Sequence, residues 1–213
     1  KKNGIKYVEL PICFDALTVA VNPQATWVDS ITIEELKKIW EPGAQGKITK
    51  WNQIRPEWPD QPFVLFGAGS DSGTFDYFTG EIVGEEGSST TNYLPSEDDN
   101  QLVEGVAGDT NALGYFGLAY YEQNADRLKL VSVDGGNGCV EPTAETVRDL
   151  TYAPLSRPLF LYVNAASIQR PEVQEFLKFY LGTAGEIVAD VGYVASPDQV
   201  YADDQAKLLA AID

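Results

Sequence analysis

Residues 63–78 constrain this chain more than any other stretch. An apolar run, Phe63-Val64-Leu65-Phe66, enters Gly67-Ala68-Gly69-Ser70-Asp71-Ser72-Gly73-Thr74 and leaves as Phe75-Asp76-Tyr77-Phe78. The apolar run reads as a buried strand, and small polar residues ahead of an aromatic stripe read as a helix start. Strand, glycine turn and helix in that order are the building unit of an α/β fold.

The same alternation runs along the rest of the chain. Residues 5–22 read as two β-rich runs around Pro11, stopped by Asn22-Pro23. The second run, residues 17–21, is nearly all apolar, as in a strand buried on both faces. Thr32 with Glu35 three residues on forms a capping box for a short amphipathic helix reaching Trp40. Residues 100–107 predict a helix with apolar positions at 102, 103, 106 and 107. Leu113-Gly114-Tyr115-Phe116-Gly117 predicts a strand whose glycines admit close backbone approach. A short helix over 119–125, a strand over 128–133, a helix over 143–150 and a strand over 158–163 follow. Residues 172–181 carry a helical stripe at Val173, Phe176, Leu177 and Tyr180, with Gly182 as the expected C-cap. Residues 184–191 and 196–212 complete a helical C-terminal portion. The whole predicts a doubly wound α/β protein, with Trp40, Trp51, Tyr115 and Phe116 as packing residues.

Charge and absences narrow the chemistry. With 32 acidic and 15 basic residues the net charge is −17, and the basic residues, Lys1-Lys2 and Lys37-Lys38 included, form no patch. Such a surface repels nucleic acid, whose binding needs clustered Lys and Arg to release counterions. The sequence contains no histidine, so the usual general base at neutral pH is missing, and with it Ser-His-Asp, Cys-His and most zinc chemistry. The expectation is a protein that is not an enzyme and needs no cofactor or metal. There is no methionine either, which points to a processed chain or a fragment, and residues 1–10 lack the apolar core of a signal peptide. No stretch approaches the roughly 18 consecutive apolar residues of a membrane span. Cys13 and Cys139 lie far apart without CxxC spacing. They could bridge in an oxidising compartment, stay as buried thiols, or pair with a residue outside this sequence.

The chemistry concentrates in Gly69-Ser70-Asp71-Ser72-Gly73-Thr74. Small residues between strand and helix leave backbone N–H groups facing open space, and the helix dipole adds about half a positive charge there. Hydroxyls of Ser70, Ser72 and Thr74 add donors, giving a neutral cradle for a small oxyanion. No lysine follows the glycine, so this is not a Walker A loop, and Gly43-Ala44-Gln45-Gly46-Lys47-Ile48 fails that pattern in spacing and last residue. Plain N-capping by Ser70 or Asp71 is the competing reading. Surface charge does not decide between them, because it is screened beyond about 8 Å at physiological salt while aligned amides act at contact distance.

In this setting the chain resembles the phosphate-specific periplasmic binding proteins of ABC importers, in particular the cyanobacterial type. The resemblance runs from about Val8 to the C-terminus. It rests on Phe14-Asp15-Ala16-Leu17-Thr18-Val19-Ala20-Val21-Asn22-Pro23, residues 36–40, and Gly46-Lys47-Ile48-Thr49-Lys50-Trp51-Asn52. Residues 69–78, Ser96-Glu97-Asp98-Asp99-Asn100, residues 112–117 and Pro154-Leu155-Ser156-Arg157-Pro158-Leu159-Phe160 continue it in order. The resemblance implies a two-lobed α/β periplasmic-binding-protein (type II) fold with phosphate between the lobes. Residues 13–155 would form the second lobe, and residues 1–12 and 156–213 part of an incomplete first lobe. It implies Ser72, Gly73 and Thr74 as direct phosphate ligands, with Ser70 and Asp71 beside them. The family's first-lobe ligand segments do not precede Lys1, so the expectation is that roughly the first third of the relatives, and about half of the site, is missing. Some relatives carry an arginine just before Ser-Gly-Thr, where this chain has Ala68 and Gly69. Arg157 is the substitute cation, with a hinge salt bridge as its alternative. The loop Ser96-Glu97-Asp98-Asp99-Asn100 is a second candidate: a carboxylate there could accept the proton that phosphate, unlike sulfate, still carries at neutral pH, or Asp98 or Asp99 could simply cap the next helix.

The implied function is extracytoplasmic binding of inorganic phosphate by a monomer that hands it to an ABC permease in the membrane. The alternatives are a binder of sulfate, molybdate or phosphonate, and a sensing or adhesive relative without transport. A phosphatase is disfavoured by the missing histidine.

Overall fold

Strand β1 (Tyr7–Val21) runs unbroken through Pro11, where the sequence predicts two runs. A proline forfeits only its own N–H and keeps a φ compatible with an extended chain, so the strand continues across it. The computed structural model describes residues 4–212, which leaves Lys1-Lys2 outside the described residues. Its chain divides into two compact units, Ala16–Ser156 and the pair Lys1–Asp15 with Arg157–Asp213. The resemblance places boundaries after residues 12 and 155; the compact units divide after Asp15 and Ser156.

The unit Ala16–Ser156 contains, in order, β2 (Ser30–Thr32), α1 (Ile33–Trp40), β3 (Val64–Ala68), α2 (Gly73–Phe78), β4 (Leu94–Ser96), α3 (Asp99–Gly108) and β5 (Ala112–Gly117). α4 (Leu118–Glu122), β6 (Lys129–Leu130), β7 (Ser132–Asp134), β8 (Cys139–Val140) and α5 (Ala144–Arg148) complete it. The main sheet has the order β1-β5-β3-β4, with β6 also on β1. β1 meets β5 antiparallel, Leu17 opposite Gly117 and Val21 opposite Leu113. β3 lies parallel to both neighbours, Phe66 opposite Gly114 on one side and Leu94 on the other. Three parallel strands therefore end at one edge, near Ala68, Ser96 and Gly117.

Leu17, Val19, Ala20 and Val21 are at most 1% exposed, as expected of a strand covered on both faces. The strand predicted over 128–133 is split. Val131 N–H bonds to Val19 O while Ser132 N–H bonds to Asp29 O, so the chain changes partner between adjacent residues. β7 then pairs with β2 and β8 in a small three-stranded sheet. The capping box of α1 is formed, Thr32 Oγ1 accepting from Glu35 N–H and Glu35 Oε2 from Thr32 N–H. Lys37 and Lys38 sit in the last turn of α1, where its dipole favours them.

An aromatic cluster ties α1, α2 and β5 together. Trp40 meets Phe78 and Tyr115 edge-on with centroids 5.4 and 4.9 Å apart, and Phe78 stacks on Tyr115 at 3.7 Å. Trp40, Trp51, Tyr115 and Phe116 are all buried, which makes them packing residues. Gly67 is required by this packing, because a Cβ there would lie 2.5 Å from the Tyr115 ring. α2 is anchored by this core and continues as a π-helical stretch, Thr79–Val83.

The other unit takes the first part of β1 together with β9 (Ser156–Asn164), α6 (Pro171–Ile187), β10 (Val194–Ala195) and α7 (Asp198–Ile212). β9 and β10 both pair with β1, the latter with Cys13 opposite Ala195. Leu10, Ile12, Val163, Leu177, Leu181 and Leu208 form its core. The expected C-cap at Gly182 is not there: α6 runs on to Ile187. Leu177, Leu181, Ala184 and Val188 recur on one buried face, and packing that face outweighs the cost of about 1 kcal/mol for a helical glycine. The Cys13–Cys139 bridge, one of three possibilities left open by the sequence, is not formed. Both thiols are free, Cys13 buried in β1 and Cys139 exposed on β8. Burial, reinforced by the charge of Asp15, pushes the Cys13 thiol up to about 11.

Candidate oxyanion site

In sheets of this kind ligands bind beyond the carboxyl ends of the parallel strands. The loop after β3 lies at that edge. Gly69 N–H bonds to Ser96 O at 3.0 Å, and Ser72 N–H turns back to Gly69 O at 3.1 Å. Tyr93 donates its hydroxyl to Ala68 O at 3.2 Å and so holds the end of β3. Ser72 is the N-cap of α2, its Oγ accepting from Thr74 N–H at 3.1 Å. Capping, which the sequence left as an alternative, is thus present, but it falls to Ser72 and not to Ser70 or Asp71. The cap uses one lone pair of the hydroxyl and leaves its hydrogen for another acceptor. Gly73 occupies the first helical position, where the N–H has no partner inside the helix, and a Cβ built there would meet nothing within 4 Å. Ser70, Asp71 and Gly73 are exposed, while Ser72 and Thr74 are partly buried. Ser70 to Thr74 thus form one solvent-facing turn in which the Asp71, Ser72 and Thr74 N–H groups are bonded within the protein and the Gly73 N–H has no partner inside the helix.

The acidic segment after β4 borders the same edge, and its three acids do three different things. Asp98 caps α3, its Oδ1 accepting from Asn100 N–H at 3.0 Å, which is the capping alternative for this residue. Asp99 is half-buried; burial pushes its carboxyl above the ordinary range, the Gly117 N–H opposes this, and the charges of Asp98 and Glu97 add to it. Glu97 reaches across to the β3 loop, where its Oε1 accepts from Asp71 N–H at 3.2 Å. A Cβ at Gly69 would lie 2.0 Å from that Oε1, so only glycine leaves room for the carboxylate. The sequence offers the whole segment Ser96-Glu97-Asp98-Asp99-Asn100 without singling out one acid; the parallel pairing of Ala68 with Ser96 is what sets Glu97 beside the loop.

Arg157 belongs to the other unit. Its Nε and Nη2 both donate to Asp15 Oδ2, at 3.1 and 3.0 Å, so the salt bridge named as its alternative is formed. Among the described residues no group of three or more His, Cys, Asp or Glu is placed to hold a metal ion. Nor, among them, is any helix long and apolar enough to cross a membrane.

A family model described as a PBP superfamily domain matches residues 1–183. The chain belongs to the PBP superfamily. Within this superfamily it is 54% identical over 200 residues to Protein SphX of Synechocystis sp., covering 93% of this chain and 60% of SphX. Phosphate-binding protein PstS of Staphylococcus haemolyticus is 39% identical over 206 residues, covering 96% of this chain and 63% of that protein. The crystal structure of a "possible phosphate binding protein" from Planctomyces limnophilus superposes with a TM-score of 0.90 at 44% identity, over 100% of this chain and 75% of that one. The α/β fold of this PBP-superfamily chain is therefore that of phosphate-binding relatives. The chain spans about three fifths of the length of the curated relatives it matches.

Proposed function

We propose that this chain supplies the helix-start part of an inorganic-phosphate site in an extracytoplasmic binding protein that delivers phosphate to an ABC-type importer. The observation that carries the proposal is the turn Ser72-Gly73-Thr74 at the carboxyl edge of β4-β3-β5, where the Gly73 amide has no partner inside the helix and a Cβ at Gly73 would meet nothing within 4 Å. The Ser72 hydroxyl, the Gly73 amide and the Thr74 hydroxyl are the direct ligands in this reading, flanked by Ser70 and Asp71. Kinship with proteins named for phosphate binding favours phosphate over other oxyanions.

In this reading the protein is a monomer that binds and releases its ligand unchanged, and with no histidine it lacks the usual base for hydrolysis at neutral pH. Residues 13–155 make one lobe, and residues 1–12 and 156–213 contribute part of the other. Phe160, Tyr162, Phe176 and Phe179 are 40–67% exposed in the latter unit, which supports its being part of a larger lobe that covers them. Calorimetric titration with phosphate, repeated in excess sulfate, tests the proposal. Saturable phosphate binding that sulfate leaves unchanged is the expected result. Binding that sulfate abolishes would make the protein a general oxyanion binder. Absence of phosphate binding, both in this chain and in a version as long as its relatives, would overturn the reading.

A further inference from the structure

The Glu97 contact points to a device that sets how tightly the loop holds an anion. We infer that Glu97 is a built-in competitor: its carboxylate occupies the 69–71 loop until an incoming oxyanion displaces it. The inference rests on the phosphate reading above and concerns the affinity of that same site. A carboxylate and a phosphate seek the same donors, and the Asp71 N–H already gives its hydrogen bond to Glu97 Oε1 at 3.2 Å. The carboxyl carbon would lie 2.7 Å from a Cβ at position 69, so the group rests on the loop backbone itself. Asp98 and Asp99 have donors of their own, Asn100 and Gly117, which leaves Glu97 as the acid of the segment whose partner is the loop. Glu97 is also exposed, so its side chain can swing into water when a better acceptor arrives. A charged occupant held by a single solvent-facing bond is weak enough to leave and strong enough to be felt.

The test compares inorganic-phosphate titrations of the wild-type chain, Glu97→Ala, Gly69→Ala and the double variant, with thermal midpoints as a fold control. Glu97→Ala frees the loop and is expected to tighten phosphate binding about fivefold, the weight of one ordinary hydrogen bond. Gly69→Ala reaches the same end by another route, since its methyl group evicts the flexible tip of Glu97, and it carries the test if Glu97→Ala does not fold. The double variant is expected to bind no more tightly than either single one. Wild-type binding with unchanged or weaker affinity in the single variants would overturn the inference and leave the phosphate reading intact. Phosphate binding that appears only in the variants would support it. No phosphate binding by any of the four proteins would overturn both.

Discussion

Substituting Ser72 by aspartate and by alanine separates the two jobs its hydroxyl can do. The hydroxyl caps α2 by accepting from Thr74 N–H at 3.1 Å, and in the proposed site it donates to phosphate. Aspartate caps a helix as well as serine does, and its charge suits the positive end of the helix dipole. Ser72→Asp should therefore keep the stability of the fold to within about 0.5 kcal/mol. The same carboxylate has no hydrogen to donate and repels an anion at contact distance, so phosphate affinity should fall by at least about 100-fold. Ser72→Ala removes both jobs. Loss of the cap costs about 1 kcal/mol, which for a chain of this size lowers the thermal midpoint by about 2–4 °C. Loss of one hydrogen bond to a charged ligand weakens phosphate roughly 10- to 150-fold. Thermal melts and calorimetric titrations on the three proteins read the two effects separately. Wild-type phosphate affinity in Ser72→Asp would refute the assignment of this turn as the site.

Other parts of the structure give independent expectations. Arg55 grips Glu35 at 2.6 and 2.8 Å; burial alone would raise the Glu35 carboxyl, but hydrogen bonds from Arg55 and Thr32 outweigh it and hold the group below its ordinary value of 4.5. A carboxyl depressed by folding stabilises the protein above its unfolded value and loses that stabilisation as pH falls. Wild type should exceed Glu35→Gln in stability by about 1 kcal/mol at pH 7, and denaturant titrations should show the gap closing as pH drops below the ordinary glutamate range. A thiol reagent at pH 8 should label one site quickly, and Cys139→Ser should abolish that labelling. Cys13, buried and with its thiol pushed up to about 11, should react only when the protein unfolds. Gly135→Ala should destabilise the fold by more than about 2 kcal/mol in a denaturant melt, because its Cβ would lie 2.1 Å from the Ala153 carbonyl oxygen.

Local chemistry explains which of these features were legible in the sequence. The 63–78 stretch, the Thr32/Glu35 box and the apolar run 17–21 are each decided by neighbours a few residues away, and each folds as its pattern predicts. The misreadings lie where distant parts of the chain set the outcome. Gly182 looks like a helix stop until the packing of Leu177, Leu181, Ala184 and Val188 is known. Residues 128–133 look like one strand until β1 and β2 each claim a part of them. Glu97 meets Asp71 across 26 residues and Arg157 meets Asp15 across 142, through strand pairings that no local pattern encodes. The turn from β3 into α2 was legible because strand, loop and helix start are contiguous. Which acid of residues 96–100 rests on the turn's entrance was not.

The most direct test of the central claim is an amide NMR titration of the isotopically labelled chain with inorganic phosphate. The account predicts saturable shifts concentrated at the amides of Ser72, Gly73 and Thr74, unchanged when excess sulfate is present. Saturable shifts that leave these three amides untouched would contradict it.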